Sequence, residues 1–216
     1  MVDKMNILVT GAKGQLARSI KEISKYYEYN FLFKEKKELD LTDFVKVQNF
    51  LKQNKVNSII NCAAYTDVES SACNHQISEN INYLAVGNVA KLCKELDIML
   101  IHISTDYVFD GMSNTIYNEE NETNPQTHYG ITKLSGEKIF LSFGLKNSAI
   151  IRTSWLYSKF ENNFVSKILF KLKNHKEIYV VDDEIGSPTY SHDLALTILD
   201  ILPKISNEKS EIYHFS

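Results

Sequence analysis

The sequence predicts a doubly wound α/β fold. Three observations carry that prediction: short, partly β-branched apolar runs too continuous for half-exposed strands, segments of helical spacing between them, and a glycine-containing turn directly after the first run. The apolar runs fall at residues 6–10, 31–33, 58–62, 99–104 and 149–153, and read as parallel strands buried on both faces. Helical spacing covers residues 15–25, 43–54, 78–96 and 130–143. The segment between Phe33 and Asp40 is too short for a full helix, so one crossover is abbreviated. After Thr153 the rhythm changes: a helix over 162–173, a strand near 178–181, a "GSPT" turn, a helix over 191–202 and a final apolar "IYHF". The division expected is a main domain over residues 1–154 and a small C-terminal lobe over 155–216.

Composition narrows the function classes. At 216 residues, with 44% hydrophobic and 24% charged, the chain can bury a substantial core. A net charge of −3 gives no general attraction to polyanions, so neither nucleic acid nor an anionic membrane surface is an expected partner. The three cysteines, Cys62, Cys73 and Cys93, lack metal-ligand spacing, and free, buried, unreactive thiols in a reducing compartment are expected. No run approaches the ~18 apolar residues of a membrane helix, and the first residues carry no secretory pattern. A soluble, cytoplasmic protein is the expectation.

"ILVTGAKGQLARSI" places Gly11 and Gly14 after the first strand and small Ala17 where a third glycine could sit. A tight strand-to-helix turn needs backbone freedom, a diphosphate needs a missing side chain, and helix–strand packing needs a small residue. Amides at the helix start then meet the phosphates, aided by the helix dipole. The competing interpretation, a turn that binds nothing, is weaker because the motif stands between a strand and a helix. Farther on, Asp40 in "ELDLTD" can accept from an adenine amino group or serve as a loop carboxylate, whereas Asp43 suits a helix start. Arg18, Lys34, Lys36 and Lys37 lie near the adenosine end and favour a 2′-phosphate, hence NADPH, with NADH as the alternative.

Tyr129 and Lys133 stand four apart, on one face of the expected helix. A free phenol has a pKa of about 10, and a neighbouring ammonium makes its phenolate accessible. Lys133 can supply that charge and also bond ribose hydroxyls, while Thr105, at a strand end, orients a substrate carbonyl. Taken alone, a Tyr-x-x-x-Lys pair is commonly a packed tyrosine beside a solvated lysine. The glycine turn, "NCAAYTDV" and "STDYVFDG" change that balance.

The order of "VTGAKGQLA", "LDLTD", "NCAAYTDVE", "STDYVFDG", "YGITKLSGE", "IRTSWLY", "NNFV" and "GSPT" resembles the extended short-chain dehydrogenase/reductases. Within them it is similar to the dTDP-4-dehydrorhamnose reductase family, from about residue 5 to residue 215. The resemblance implies a Rossmann-like dinucleotide-binding domain and NAD(P)H-dependent reduction of the 4-keto group of a dTDP-linked 6-deoxyhexose, giving dTDP-L-rhamnose. It implies that Tyr129 donates the proton, that Lys133 lowers its pKa and holds the nicotinamide ribose, and that Thr105 bonds the reacting oxygen. Gly11, Gly14, Gln15 and Leu16 match the diphosphate loop, Asp40 and Leu41 the adenine side, and Ala63, Ala64 and Tyr65 the strand end beside the cofactor. Asp106 and Trp155 match substrate-contacting positions, and Trp155 also offers a flat apolar wall to a sugar or base. Asn163 is a weaker substrate candidate, equally suited to a helix start.

The chain also departs from the family. Family members continue beyond "YHFS", so an incomplete nucleotide-sugar lobe is expected. The family's "xVDxAE" reads "DVESSA" here, without the last carboxylate at Ala72, and no metal or dimer contact is carried over through it. Glu184 stands where a glutamine is usual. No metal is assigned, and a homodimer remains open. Two other functions keep the same cofactor: a nucleotide-sugar epimerase or dehydratase, and a non-catalytic subunit resembling the methionine adenosyltransferase β subunit. His102 reads as a core histidine, His128 as solvent-facing, and the acidic loop 118–122 as a solvated cover over the substrate entrance.

Overall fold

Ile7, Leu8 and Val9 show how the first strand is held: none of the three is exposed, and they point alternately into two separate cores. The computed structural model describes residues 4–160, 163–174, 177–180 and 182–216. Its main sheet contains β1 (Asn6–Thr10), β2 (Asn30–Lys34), β3 (Ser58–Asn61), β4 (Met99–Thr105), β5 (Ala149–Thr153) and β8 (Glu211–His214). They pair in the order β2-β1-β3-β4-β5-β8, every pair parallel. Leu8, Ile59, Leu100 and Ile150 pack with α2 (Phe44–Gln53), α5 (Ala85–Leu96) and α6 (His128–Ser142). Ile7, Val9, Ile60, Ile101 and Ile151 pack with α1 (Gln15–Ile23) and α8 (Ser191–Ile201) on the other face. This is the doubly wound, Rossmann-like parallel sheet that the apolar runs predict.

The chain leaves β1 for β2 on one side and returns across it to β3 on the other. Strand direction of travel therefore reverses between β1 and β3, and a crevice opens outside their carboxyl ends. No crossover is abbreviated, contrary to expectation: after β2 a turn over residues 35–38, closed by Glu38 and Leu39 amides donating to the Glu35 carbonyl, leads into α2, which completes the passage to β3. Asp43 caps α2 by accepting from the Lys46 amide at 3.0 Å, and Thr127 caps α6 by accepting from Gly130 at 3.0 Å.

Two expected elements differ. The helix expected over 78–96 is divided between the end of α4 (His75–Glu79), a π-helical turn at Asn80–Leu84, and α5, with a short α3 (Val68–Ser71) before it. The wide turn admits Asn82 to the interior, where its amide bonds both backbone groups of Tyr65 and the Thr132 hydroxyl. The second difference concerns the tail. The lobe contains β6 (Leu156–Tyr157) paired with β7 (Thr189–Tyr190), and α7 (Phe164–Asn174), none of whose described residues is buried. However, α8 and β8 leave the lobe: α8 packs on α1 through Leu194, Ala195 and Ile198, and "IYHF" supplies the sheet's last strand against β5. Residues 178–180 form no strand, and Val181 and Asn162 lie outside the described residues.

Among the described residues, no helix is long and apolar enough to cross a membrane. The cysteines are free; Cys93 is buried and Cys62 half-buried, but Cys73 is exposed, contrary to expectation, because it follows the short α3 on the surface. The acidic loop also differs: Glu119 accepts from the His214 amide at 2.7 Å, securing the end of β8.

Gly136 tests the packing of α6. Alanine inside a helix ordinarily gains about 1 kcal/mol over glycine. Here a Cβ at Gly136 would stand 2.2 Å from the Asn82 carbonyl oxygen of the π turn. Gly136→Ala is expected to destabilise the protein by about 1–3 kcal/mol, read from the urea midpoint; a gain would contradict this packing.

Candidate active site

The crevice beyond β1 and β3 is a cleft of about 1470 Å³ that runs from the β2 end to the lobe. At its middle lies the glycine turn. Gly11 has φ +64, and a Cβ there would meet the Cys62 carbonyl at 2.8 Å and the Ala63 backbone at 2.9 Å. Only glycine allows the turn to sit this close to the end of β3. Gly14 begins α1 with no side-chain cap, so first-turn amides are left to a ligand. Gly14, Gln15, Leu16, Ala63 and Ala64 border the same space. This uncapped helix start, bordering the cleft at Gly14, fits a dinucleotide diphosphate.

The β2 end matches an adenosine site in outline. Asp40, Leu41, Lys34, Lys36 and Lys37 line it. Asp40 Oδ1 already accepts from the Thr42 amide at 3.0 Å and its hydroxyl at 2.8 Å, which holds the carboxyl below its usual value. Lys34 pairs with Glu38 at 3.1 Å and Lys13 pairs with Glu35, while Lys36 and Lys37 are exposed. Arg18 lies instead 4.2 Å over the Phe160 ring. Tyr65 stands apart from the cleft wall because Asn82 clasps its backbone.

At the other end, β4 and α6 bring Thr105, Asp106, Tyr129 and Lys133 together. Tyr129 lies in the first turn of α6 and Lys133 follows one turn later, both on the buried face. Burial pushes the phenol up to about 12, with Thr105 opposing the rise. Tyr107 closes the ring edge at 5.5 Å. Lys133 is 1% exposed; its Nζ donates to the Ile103 carbonyl at 2.6 Å, and burial lowers it to about 8 against the raising effect of Glu137. The Lys133 ammonium faces the β4 backbone through the Ile103 carbonyl, and burial is the largest influence on the phenol. Asp106 is raised by burial, and the Thr105 hydroxyl donates to it at 3.1 Å.

The lobe closes the far wall. Trp155 lines it with a strained φ of 42, its indole so near Gly186 that a Cβ would lie 2.5 Å away. Gln15 reaches across from α1: its Oε1 accepts from Ser158 at 2.7 Å and from Asn163 at 3.1 Å. Asn163 also borders the cleft, but its Oδ1 accepts the Ser166 amide at 3.0 Å, which makes it the start of α7. Sequence reasoning missed Thr66, Ile81, Tyr107 and Thr153. Tyr107 lies within "STDYVFDG" and was findable; Ile81 comes from the π turn, which has no sequence signature. Thr153 Oγ1 is buried with no partner among the described residues, at the cleft wall. His102 is a core residue, its Nδ1 bonded to Asn61 at 3.1 Å, whereas His128 is not solvent-facing but half-buried and stacked 4.0 Å from His75.

A family model described as RmlD substrate binding domain matches residues 5–216. The dTDP-4-dehydrorhamnose reductase of Aggregatibacter actinomycetemcomitans is 38% identical over 214 residues, 97% of this chain and 72% of its own. The Bacillus anthracis dTDP-4-dehydrorhamnose reductase, solved in complex with NADP, superposes with a TM-score of 0.93 at 36% identity, covering 99% of this chain and 75% of that one. A Clostridium acetobutylicum dTDP-4-dehydrorhamnose reductase gives 0.91 at 36% identity, covering 98% and 74%. With the cleft, the uncapped helix start and the Tyr129–Lys133–Thr105 cluster in place, the chain belongs to the RmlD substrate binding domain family, the family of dTDP-4-dehydrorhamnose reductase relatives.

Proposed function

We propose that the chain reduces the 4-keto group of dTDP-4-dehydro-6-deoxy-L-mannose with NADPH, giving dTDP-L-rhamnose. The observation that carries this is the convergence of Tyr129, Lys133 and Thr105 at one end of a cleft whose middle is an uncapped helix start. NADPH, when bound, supplies the hydride. Gly11, Gly14, Gln15 and Leu16 receive its diphosphate, Ala63 and Ala64 border its nicotinamide side, and Asp40 and Leu41 its adenine. Exposed Lys36 and Lys37 favour a 2′-phosphate over a bare hydroxyl.

At neutral pH a phenol held up near 12 keeps its proton, so Tyr129 is the acid that protonates the alkoxide formed at C4. Thr105 orients the carbonyl oxygen toward that proton. Lys133 holds the nicotinamide ribose, and its charge stabilises the phenolate left behind. Asp106 and Trp155 place the sugar nucleotide, with the indole as a flat wall.

The test is NADPH oxidation, followed by absorbance, with a dTDP-4-keto-6-deoxy sugar. Stoichiometric consumption is expected; tightly held oxidised cofactor without net consumption would instead indicate an epimerase or dehydratase. Tyr129→Phe is expected to lower kcat on the order of a hundredfold or more with NADPH affinity nearly unchanged, and equal turnover would remove Tyr129 from the chemistry. Gly11→Ala, which forces the turn off β3, is expected to weaken NADPH binding about tenfold or more by fluorescence titration.

A further inference from the structure

Tyr129, Lys133 and Glu137 occupy one buried stripe of α6, each a turn beyond the last. Glu137 is 1% exposed and lies at the junction of three elements. Its Oε1 accepts from the Ser104 hydroxyl on β4, next to Thr105, and from Arg152 Nε on β5 at 3.0 Å; its Oε2 accepts from Arg152 Nη2 at 2.7 Å. Arg152 adjoins Thr153 at the cleft wall, lies 5.1 Å over the Phe109 ring and faces His214 Nε2 at 3.4 Å. A buried ion pair is poor stabilisation compared with apolar residues of the same volume, so stability alone does not account for this one.

We propose that Glu137, clamped by Arg152 and Ser104, is a positioning residue: it fixes the turn of α6 that carries Lys133 against β4 and β5 and sets a negative charge beside the ammonium. The proposal rests on the reductase assignment above. The ionisable groups facing Lys133 are Glu137 on its own helix, Cys62 beyond β3 and His102 on β4; those facing Glu137 are Lys133, Arg152 and His214. Of these, burial pushes Cys62 up to about 12 and His102 well down, so both stay neutral near neutral pH and Glu137 is the anion that supports the ammonium.

The experiment compares the intact chain with Glu137→Gln and with Glu137→Gln/Arg152→Met, which removes both buried charges at similar volume. Folding is read by circular dichroism, NADPH binding by fluorescence from about pH 6 to about pH 10, and turnover with the keto sugar. The double variant is expected to fold. Its alkaline loss of NADPH affinity should move about half to one pH unit toward acid, because Lys133 releases its proton earlier, and kcat should fall about tenfold. A folded double variant with the parent's pH dependence and kcat would overturn the proposal, as would failure of both variants to fold, which would make the pair a folding determinant. Absence of turnover in the unaltered chain, with the shift in NADPH binding still present, would sink the assigned reaction and leave the role of Glu137 standing.

Discussion

A lysine ammonium taken almost wholly out of water is the constraint around which this site is arranged. Burying an unpaired charge costs several kcal/mol, so the structure must surround it with acceptors. Lys133 donates to the Ile103 carbonyl on β4, the Glu137 carboxylate one turn farther along α6 favours its charge, and Glu137 in turn accepts from Arg152 and Ser104. The partners come from β4, from α6 itself and from β5, so satisfying these charges fixes the rotation of α6 against β4 and β5. That rotation aims Tyr129 at Thr105. The close approach of Gly136 to Asn82 then settles the depth of the helix.

The cleft unites segments far apart in sequence because the topology reverses beside β1. The glycine turn touches the end of β3, and Gln15 extends from the same turn to Ser158 and Asn163 in the lobe. One residue at the start of α1 therefore borders the glycine turn and also ties down the segment that carries Trp155. The position of the turn and the placement of the indole wall share a mechanical link.

Much of this was legible beforehand. Five strands were readable because a strand buried on both faces leaves a continuous apolar run, as at residues 99–104, and the caps Asp43 and the glycine turn mark helix starts. The Tyr129–Lys133 pair was readable because helical spacing fixes its geometry locally. The illegible parts depend on tertiary contact. "IYHF" looks the same as a lobe strand or a sheet edge, and only its pairing with β5 decides. The π turn satisfies Asn82 against Tyr65 and Thr132, partners 17 and 50 residues away. Tyr65 matched a motif, yet its backbone serves Asn82. Glu137 and Arg152 each stood in quoted motifs, but their pairing joins a helix to a strand, which no local pattern encodes.

The charges of the buried network follow from these same contacts. Near neutral pH Lys133 is protonated, since burial brings it only to about 8, and Tyr129, pushed up to about 12, is neutral. Glu137 is anionic between two cations, Lys133 and Arg152. His214 beside Arg152 is lowered, chiefly by burial, and adds no further positive charge. The chain Lys133–Glu137–Arg152 thus carries one net positive charge, delivered to the cleft through Lys133. That charge and the positive end of α1 act on the cleft together, while the phenol of Tyr129 keeps its proton near neutral pH.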